Sequence, residues 1–109
     1  MKLPNGDRAI VDIDKLRTYC LNPQHPRGRH KARVFASFSI READAEELQA
    51  AIVAAAIDAE ARLGAANPYG QRYIVDFDFV RRGRTVRIRS TWIVRTGEDV
   101  PRLTSCYVL

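Results

Sequence analysis

The chain has 109 residues, with 18 Lys or Arg against 13 Asp or Glu, a formal net charge of +5 and a sequence pI near 9.7. That length fits a single domain spanning residues 1–109 and excludes a multi-domain assembly. An apolar fraction of 46% excludes a disordered chain.

Of the 18 basic residues only Lys2, Lys15 and Lys31 are lysines. The planar donor fork of Arg matches phosphate and stacks on bases, so the excess points to a polyanionic partner. A GC-rich genome also enriches Arg, whatever the function. The distribution says more. Residues 1–41 carry nine basic and three acidic residues, residues 42–71 one basic and six acidic, and residues 72–109 eight basic and four acidic. If the two basic segments fold together, they form one positive surface.

Cys20 and Cys106 lie far apart in sequence and outside any CxxC pattern, so reduced thiols in a cytoplasmic protein are the expectation. The first residues lack the apolar core of a signal peptide. The most apolar run, near 50–57, is too short to span a bilayer, so no membrane association is expected.

In chain order, Pro4-Asn5-Gly6 is a turn signal. Ala9-Ile10-Val11 reads as a short strand or lead-in. Asp12 caps a short helix through Cys20, with Ile13, Leu16 and Tyr19/Cys20 on one face. Residues 24–28 form a loop. A second helix runs from Arg29 to about Phe38, with Val34, Phe35 and Phe38 as its apolar stripe. A third spans 43–63, with Asp44 as N-cap, Glu46 and Glu47 in its first turn, and Leu48, Ile52, Ala55, Ala59 and Leu63 on one side. Gly64 ends it, and residues 67–70 turn.

The period then becomes two. Tyr73, Val75, Phe77 and Phe79 alternate with Ile74, Asp76 and Asp78, and Arg82-Gly83 forms a hairpin turn. The next strand, 84–95, shows Val86, Ile88, Trp92 and Val94 on one side, with Trp92 read as core. A last strand runs from Arg102 to Leu109. Helices first and an antiparallel meander second make an α+β fold, with N-terminal helices packed on a sheet of three to four strands.

Three groups of residues carry the chemistry. His25, Arg27, Arg29, His30, Lys31 and Arg33 crowd the start of the second helix, where the macrodipole disfavours positive charge. Such a violation of a local rule points to function. Lys31 also shares the face of Phe35 and Phe38, so it either snorkels outward or lines a cleft. The free N–H groups of a helix start favour phosphate. The bland alternative is a solvated basic loop.

The second group is the strand face of Arg87, Arg89, Thr91 and Arg95, which can track a phosphate backbone. An ordinary solvent-facing strand explains any one of these residues equally well. The third is Arg102, Thr104, Ser105 and Tyr107, whose hydroxyls can hold a phosphate while the ring stacks on a base. No HExxH, zinc-spaced Cys/His set, P-loop or GxGxxG occurs, so neither metal nor cofactor is expected. RNA allows cleavage without either, because its own 2′-OH attacks the adjacent phosphate. The protein then supplies a base, an acid and positive charge.

The run Leu3-Pro4-Asn5-Gly6, Ala9-Ile10-Val11-Asp12, Lys15-Leu16, Tyr19, Leu21-Asn22, His25-Pro26, Gly28, His30-Lys31-Ala32 and Phe35 resembles an uncharacterised bacterial domain family. Tyr69-Gly70-Gln71-Arg72-Tyr73, Thr91-Trp92-Ile93-Val94 and Pro101-Arg102-Leu103-Thr104-Ser105-Cys106-Tyr107 extend the likeness over nearly the whole chain. Ser105 stands at the second hydroxyl position of the family's closing pattern and keeps an OH donor there. That family is in turn similar to the barnase/EndoU/colicin/RelE (BECR) superfamily of small toxin ribonucleases, which places helices before an antiparallel sheet.

The resemblance implies metal-independent cleavage of tRNA or mRNA and an acidic antitoxin or immunity partner. It also implies an active site drawn from His25, Lys31, Arg95, Thr104, Ser105 and Tyr107. Arg27, Arg29, His30, Arg33, Arg87, Arg89 and Arg102 are then the nucleic-acid contacts. Two other functions stay open: a non-catalytic basic module binding nucleic acid or an acidic protein, and a small-molecule enzyme with His25 as general base. The premise common to the site residues is spatial. The loop after the first helix and the last strand must meet.

Overall fold

In the computed structural model, which describes residues 1–109, the first helix begins where Asp12 accepts the Asp14 N–H at 2.9 Å. This helix, α1 (Ile13–Lys15), widens at once into a π-helical turn, Leu16–Cys20, that buries Leu16 and Cys20. Helix α2 (Arg29–Ser37) buries Ala32 and Phe35. Helix α3 (Ala45–Asp58) buries Ala45, Leu48, Ile52, Ala55 and Ala56, the single inward stripe of a 3.6-residue repeat.

Four strands follow: β1 (Ala61–Asn67), β2 (Gly70–Arg81), β3 (Arg84–Arg95) and β4 (Arg102–Val108). They form one antiparallel sheet in the order β1-β2-β3-β4. The protein is therefore an α+β fold with its helices N-terminal to the sheet. Arg82 and Gly83 both have positive φ, 51° and 76°, as a tight two-residue hairpin with a type I′ turn requires.

One face of the sheet is dry. Val75, Phe77, Phe79, Val86, Ile88, Trp92, Leu103 and Cys106 join Leu16, Phe35, Leu48 and Ile52 in one core cluster. Trp92 is fully buried. Its Nε1 donates to Ser90 Oγ at 2.9 Å, and Ser90 Oγ donates to the Val75 carbonyl at 2.7 Å. The chain of donors leaves no polar atom of this pair unsatisfied.

The expected third helix stops five residues early. Ala59 is extended (φ −82°, ψ 156°), and Ala61, Arg62 and Leu63 pair with Val75, Ile74 and Tyr73 of β2. Leu63, read as the last residue of the apolar helix face, is 64% exposed on an edge strand. Local propensity alone favours continuing the helix through these alanines, so the tertiary pairing overrides it. Pairing with β2 supplies backbone hydrogen bonds that a fifth helical turn, with Leu63 off the core, could not match with burial. Asp44 does flank α3, but its carboxylate turns back to accept the Arg41 N–H at 2.9 Å and an Arg81 guanidinium bond at 2.9 Å.

The N-terminal segment laces one end of the sheet. Lys2 bridges to Glu60 beside β1, and Ile10 pairs in parallel with Arg102 at the start of β4. The lead-in read at Ala9-Ile10-Val11 is thus a single bridge. α2 packs on β4 and on the π-helical turn, so the first and third charge segments do meet along the β4 side of the sheet. The acidic middle segment forms α3 and β1.

Candidate functional site

The site is assembled at β4, from residues up to 89 positions away in sequence. Lys31 projects from the first turn of α2 and donates to Ser105 Oγ at 3.4 Å. Its Nζ stands 4.9 Å from the centre of the Tyr107 ring and 5.8 Å from that of Tyr19. Two π-faces and a hydroxyl stabilise a cation without neutralising it, and Lys31 makes no ion pair with any carboxylate. Lys31 is half-buried between two rings rather than extended into solvent.

A break in register aims the hydroxyls. Thr91 faces Ser105 and Trp92 faces Leu103, which leaves Thr104 as the extra residue of a β-bulge. Thr91 Oγ1 and Thr104 Oγ1 then share a hydrogen bond at 2.7 Å, and Thr91 Oγ1 also reaches the Ser105 carbonyl at 3.3 Å. Lys15, from the end of α1, donates to the Thr104 carbonyl at 3.4 Å.

His25 stands behind this group. Its Nδ1 accepts the backbone N–H groups of Arg27 and Gly28, both at 3.1 Å, and its ring meets Tyr19 edge to face at 4.8 Å. With Nδ1 occupied as an acceptor, the neutral ring carries its proton on Nε2. Gly28 allows the loop this close. A Cβ there would fall 2.2 Å from the Tyr19 carbonyl oxygen. Tyr19 thus touches both His25 and Lys31, and it was missed in the sequence because its spacing assigns it to a core face.

The strand face of arginines is less free than its period suggested. Arg87 pairs with Asp78 at 3.1 Å, and Arg89 holds Asp76 with two bonds at 2.8 and 2.9 Å. Those hydrogen bonds hold the Asp76 carboxyl below its ordinary range and, with help from the Tyr107 hydroxyl, raise the Arg89 guanidinium. Asp76 and Asp78 stand directly across from Arg89 and Arg87 in the ladder. Arg89 is thereby a fixed neighbour of Tyr107, the residue it faces on β4. Arg102 shares Glu98 at 3.3 Å.

Arg95, Arg27, Arg29, His30 and Arg33 are exposed and make no ion pair. The first turn of α2 holds no acidic residue and no side-chain cap, and the Arg29 N–H is taken by the His25 carbonyl at 2.9 Å. No three His, Cys, Asp or Glu side chains converge as a metal-ligand set.

Beneath Ser105, Cys20 and Cys106 lie free and buried. The neighbouring Cys106, with Ser105 and the Lys31 charge acting the same way, lowers the Cys20 thiol despite its burial. The neighbouring Cys20, followed by burial, pushes the Cys106 thiol well up. The two cysteines, distant in sequence, form one buried pair under the site.

Fold and site together define a small α+β protein with an unpaired lysine, hydroxyls and a phenol gathered at the last strand of its sheet. A family model described as Domain of unknown function (DUF6883) matches residues 2–109, and the chain belongs to that family. No curated protein and no solved structure gives a significant match. No helix is long and apolar enough to cross a membrane.

Proposed function

We propose that the protein is a metal-independent endoribonuclease of toxin type, acting on tRNA or mRNA through attack of a 2′-OH on the adjacent phosphate. The observation that carries this reading is Lys31 beside Ser105 and Tyr107, an ammonium with no carboxylate partner among hydroxyl and phenol groups. That donor set suits a phosphate in transit to a phosphorane, whose extra negative charge needs positioned N–H and O–H groups. The order of elements, helices before an antiparallel sheet, agrees with the likeness to the BECR toxin ribonucleases. Likeness of fold alone does not carry activity.

In this mechanism the 2′-OH loses its proton to a base as its oxygen bonds to phosphorus. The 5′-oxygen leaves with a proton from an acid, giving a 2′,3′-cyclic phosphate and a 5′-OH. His25, through its Nε2 side, and Lys31 are the groups for these proton transfers. Thr104 and Ser105 orient the phosphate, Tyr107 stacks or donates, and Arg95 offsets the phosphorane charge. Arg27, Arg29, His30 and Arg33 extend the contact along the RNA, with Arg87, Arg89 and Arg102 as the fixed cations behind. An acidic antitoxin or immunity protein would cover the same cations.

One observation favours a second reading, a binding module without catalysis. The Nδ1 of His25 is committed to two backbone N–H groups, which suits a loop staple as well as a base.

Purified protein incubated with total tRNA and with mRNA in EDTA separates the two. Cleavage leaving cyclic phosphate ends, lost in Lys31→Ala and His25→Ala variants that still fold, is the expected result. Absence of cleavage, or cleavage that needs Mg²⁺, overturns the ribonuclease. RNA binding that persists without product and tolerates His25→Ala leaves the binding module.

A further inference from the structure

Next to the Lys31 group is a recess of about 140 Å³, lined by Ile10, Asp12, Lys15, Arg95, Arg102 and Leu103. We propose that this recess is the subsite for a second phosphate of a nucleic-acid strand, the neighbour of the one held at Lys31. The inference rests on the nucleic-acid reading of this face, but not on cleavage.

Three cations converge there from three places in the chain. Lys15 comes from α1, Arg95 from the end of β3 and Arg102 from the start of β4. Lys15 and Arg95 form no ion pair. Arg102 holds Glu98 through two bonds at 3.3 Å, with both side chains about a third exposed. Exposed pairs of that length contribute little, so a phosphate can share the guanidinium at small cost.

Asp12 is the opposing charge, and one of its oxygens already caps α1 through the Asp14 N–H. The recess therefore keeps a modest positive excess. That suits a singly charged phosphodiester better than a free dianion. Ile10 and Leu103, joined by the Leu103 N–H to Ile10 carbonyl bond at 2.9 Å, give the sugar an apolar rest.

The spacing argues for one strand across both places. Lys15 Nζ reaches the Thr104 carbonyl and Lys31 Nζ reaches the Ser105 hydroxyl, each at 3.4 Å. The two ammonium groups thus attend successive residues of β4, whose Cα atoms lie about 3.8 Å apart. A polynucleotide presents a phosphate with each nucleotide, so a strand held at Lys31 offers its next phosphate to Lys15 and Arg95. A single mononucleotide cannot fill both.

The test uses the intact protein and a 2′-O-methyl trinucleotide, which cannot undergo 2′-OH attack. A 5′-mononucleotide and inorganic phosphate serve as comparisons, and binding is followed by NMR titration. Lys15→Gln and Arg95→Gln are each expected to weaken the trinucleotide about tenfold and to lower its salt slope by about 1. The mononucleotide should respond to Lys31→Gln but not to Lys15→Gln. Arg95 is exposed, so its variant keeps the test open even if Lys15→Gln folds poorly. Trinucleotide binding that needs Lys31 but ignores Lys15 and Arg95 overturns the subsite alone. Inorganic phosphate bound as tightly as the trinucleotide also overturns it. No trinucleotide binding by the wild-type protein overturns both this inference and the nucleic-acid reading beneath it.

Discussion

Lys31 sits where the helix pattern would place an apolar residue, four positions before the fully buried Phe35. Its charge is kept by two aromatic faces and a serine hydroxyl rather than by a carboxylate. Lys31→Met keeps the aliphatic stem and the packing, so the fold should survive while RNA turnover falls about 10²–10⁴-fold, the usual contribution of a positioned acid or base. Comparing turnover with thermal melting of the same sample checks both halves. Ser90 is the opposite case, a buried hydroxyl whose role is structural. Ser90→Ala strands the Trp92 Nε1–H in the core and should cost about 1–3 kcal/mol in urea unfolding. An unchanged midpoint would mean that Trp92 finds another acceptor.

Among the elements, the loop before α2 and the strand after α3 decide most. Gly28 is where the loop crosses the π-helical turn, and a methyl group there would collide with the Tyr19 carbonyl. Gly28→Ala should therefore destabilise by about 1–3 kcal/mol, as overpacking does, and should loosen His25 and Tyr19. Shifted Tyr19 and His25 ring resonances in NMR spectra would report it. β1 allows a test of the corrected element. Leu63 on an exposed edge predicts that Leu63→Lys changes stability by less than about 0.5 kcal/mol. A buried helix residue truncated to Ala would instead cost about 2–5 kcal/mol, so a large loss would restore the longer helix.

At the scale of the whole molecule, charge is segregated. α2, packed on β4, carries Arg29, His30, Lys31 and Arg33 and no acid, while α3, packed on β2, carries Glu46, Glu47 and Asp58 and no base. Acid should act first on the carboxylates that link elements. The Arg41 N–H, with Arg81, holds Asp44 below its ordinary value of 3.8, and Arg89 does the same for Asp76. A carboxyl lowered on folding adds stability above its unfolded value and loses it as pH falls through the folded one. The protein should thus lose stability steeply below about pH 4. Asp44→Asn should be less stable at pH 7 and show a flatter acid limb in urea unfolding at stepped pH. Parallel limbs for the two proteins would argue against Asp44 as a source.

The local physics of the chain determined the two short helices, the hairpin at Arg82-Gly83, the inward face of β2 and β3, and the basic excess. Those follow from period, turn chemistry and composition, which act between near neighbours. It also placed His25 and Lys31 under suspicion, since a cationic helix start breaks a local rule, and Thr104, Ser105 and Tyr107 for their hydroxyls. Only the tertiary structure decided the rest. Residues 59–63 became extended because β2 offered them a ladder. Arg87 and Arg89 found Asp78 and Asp76 because the register put them opposite one another. Lys15, Tyr19 and the cysteine pair joined the site because α2 and the π-helical turn pack on β4. Contacts across tens of residues depend on which surfaces meet, and no window of sequence contains that.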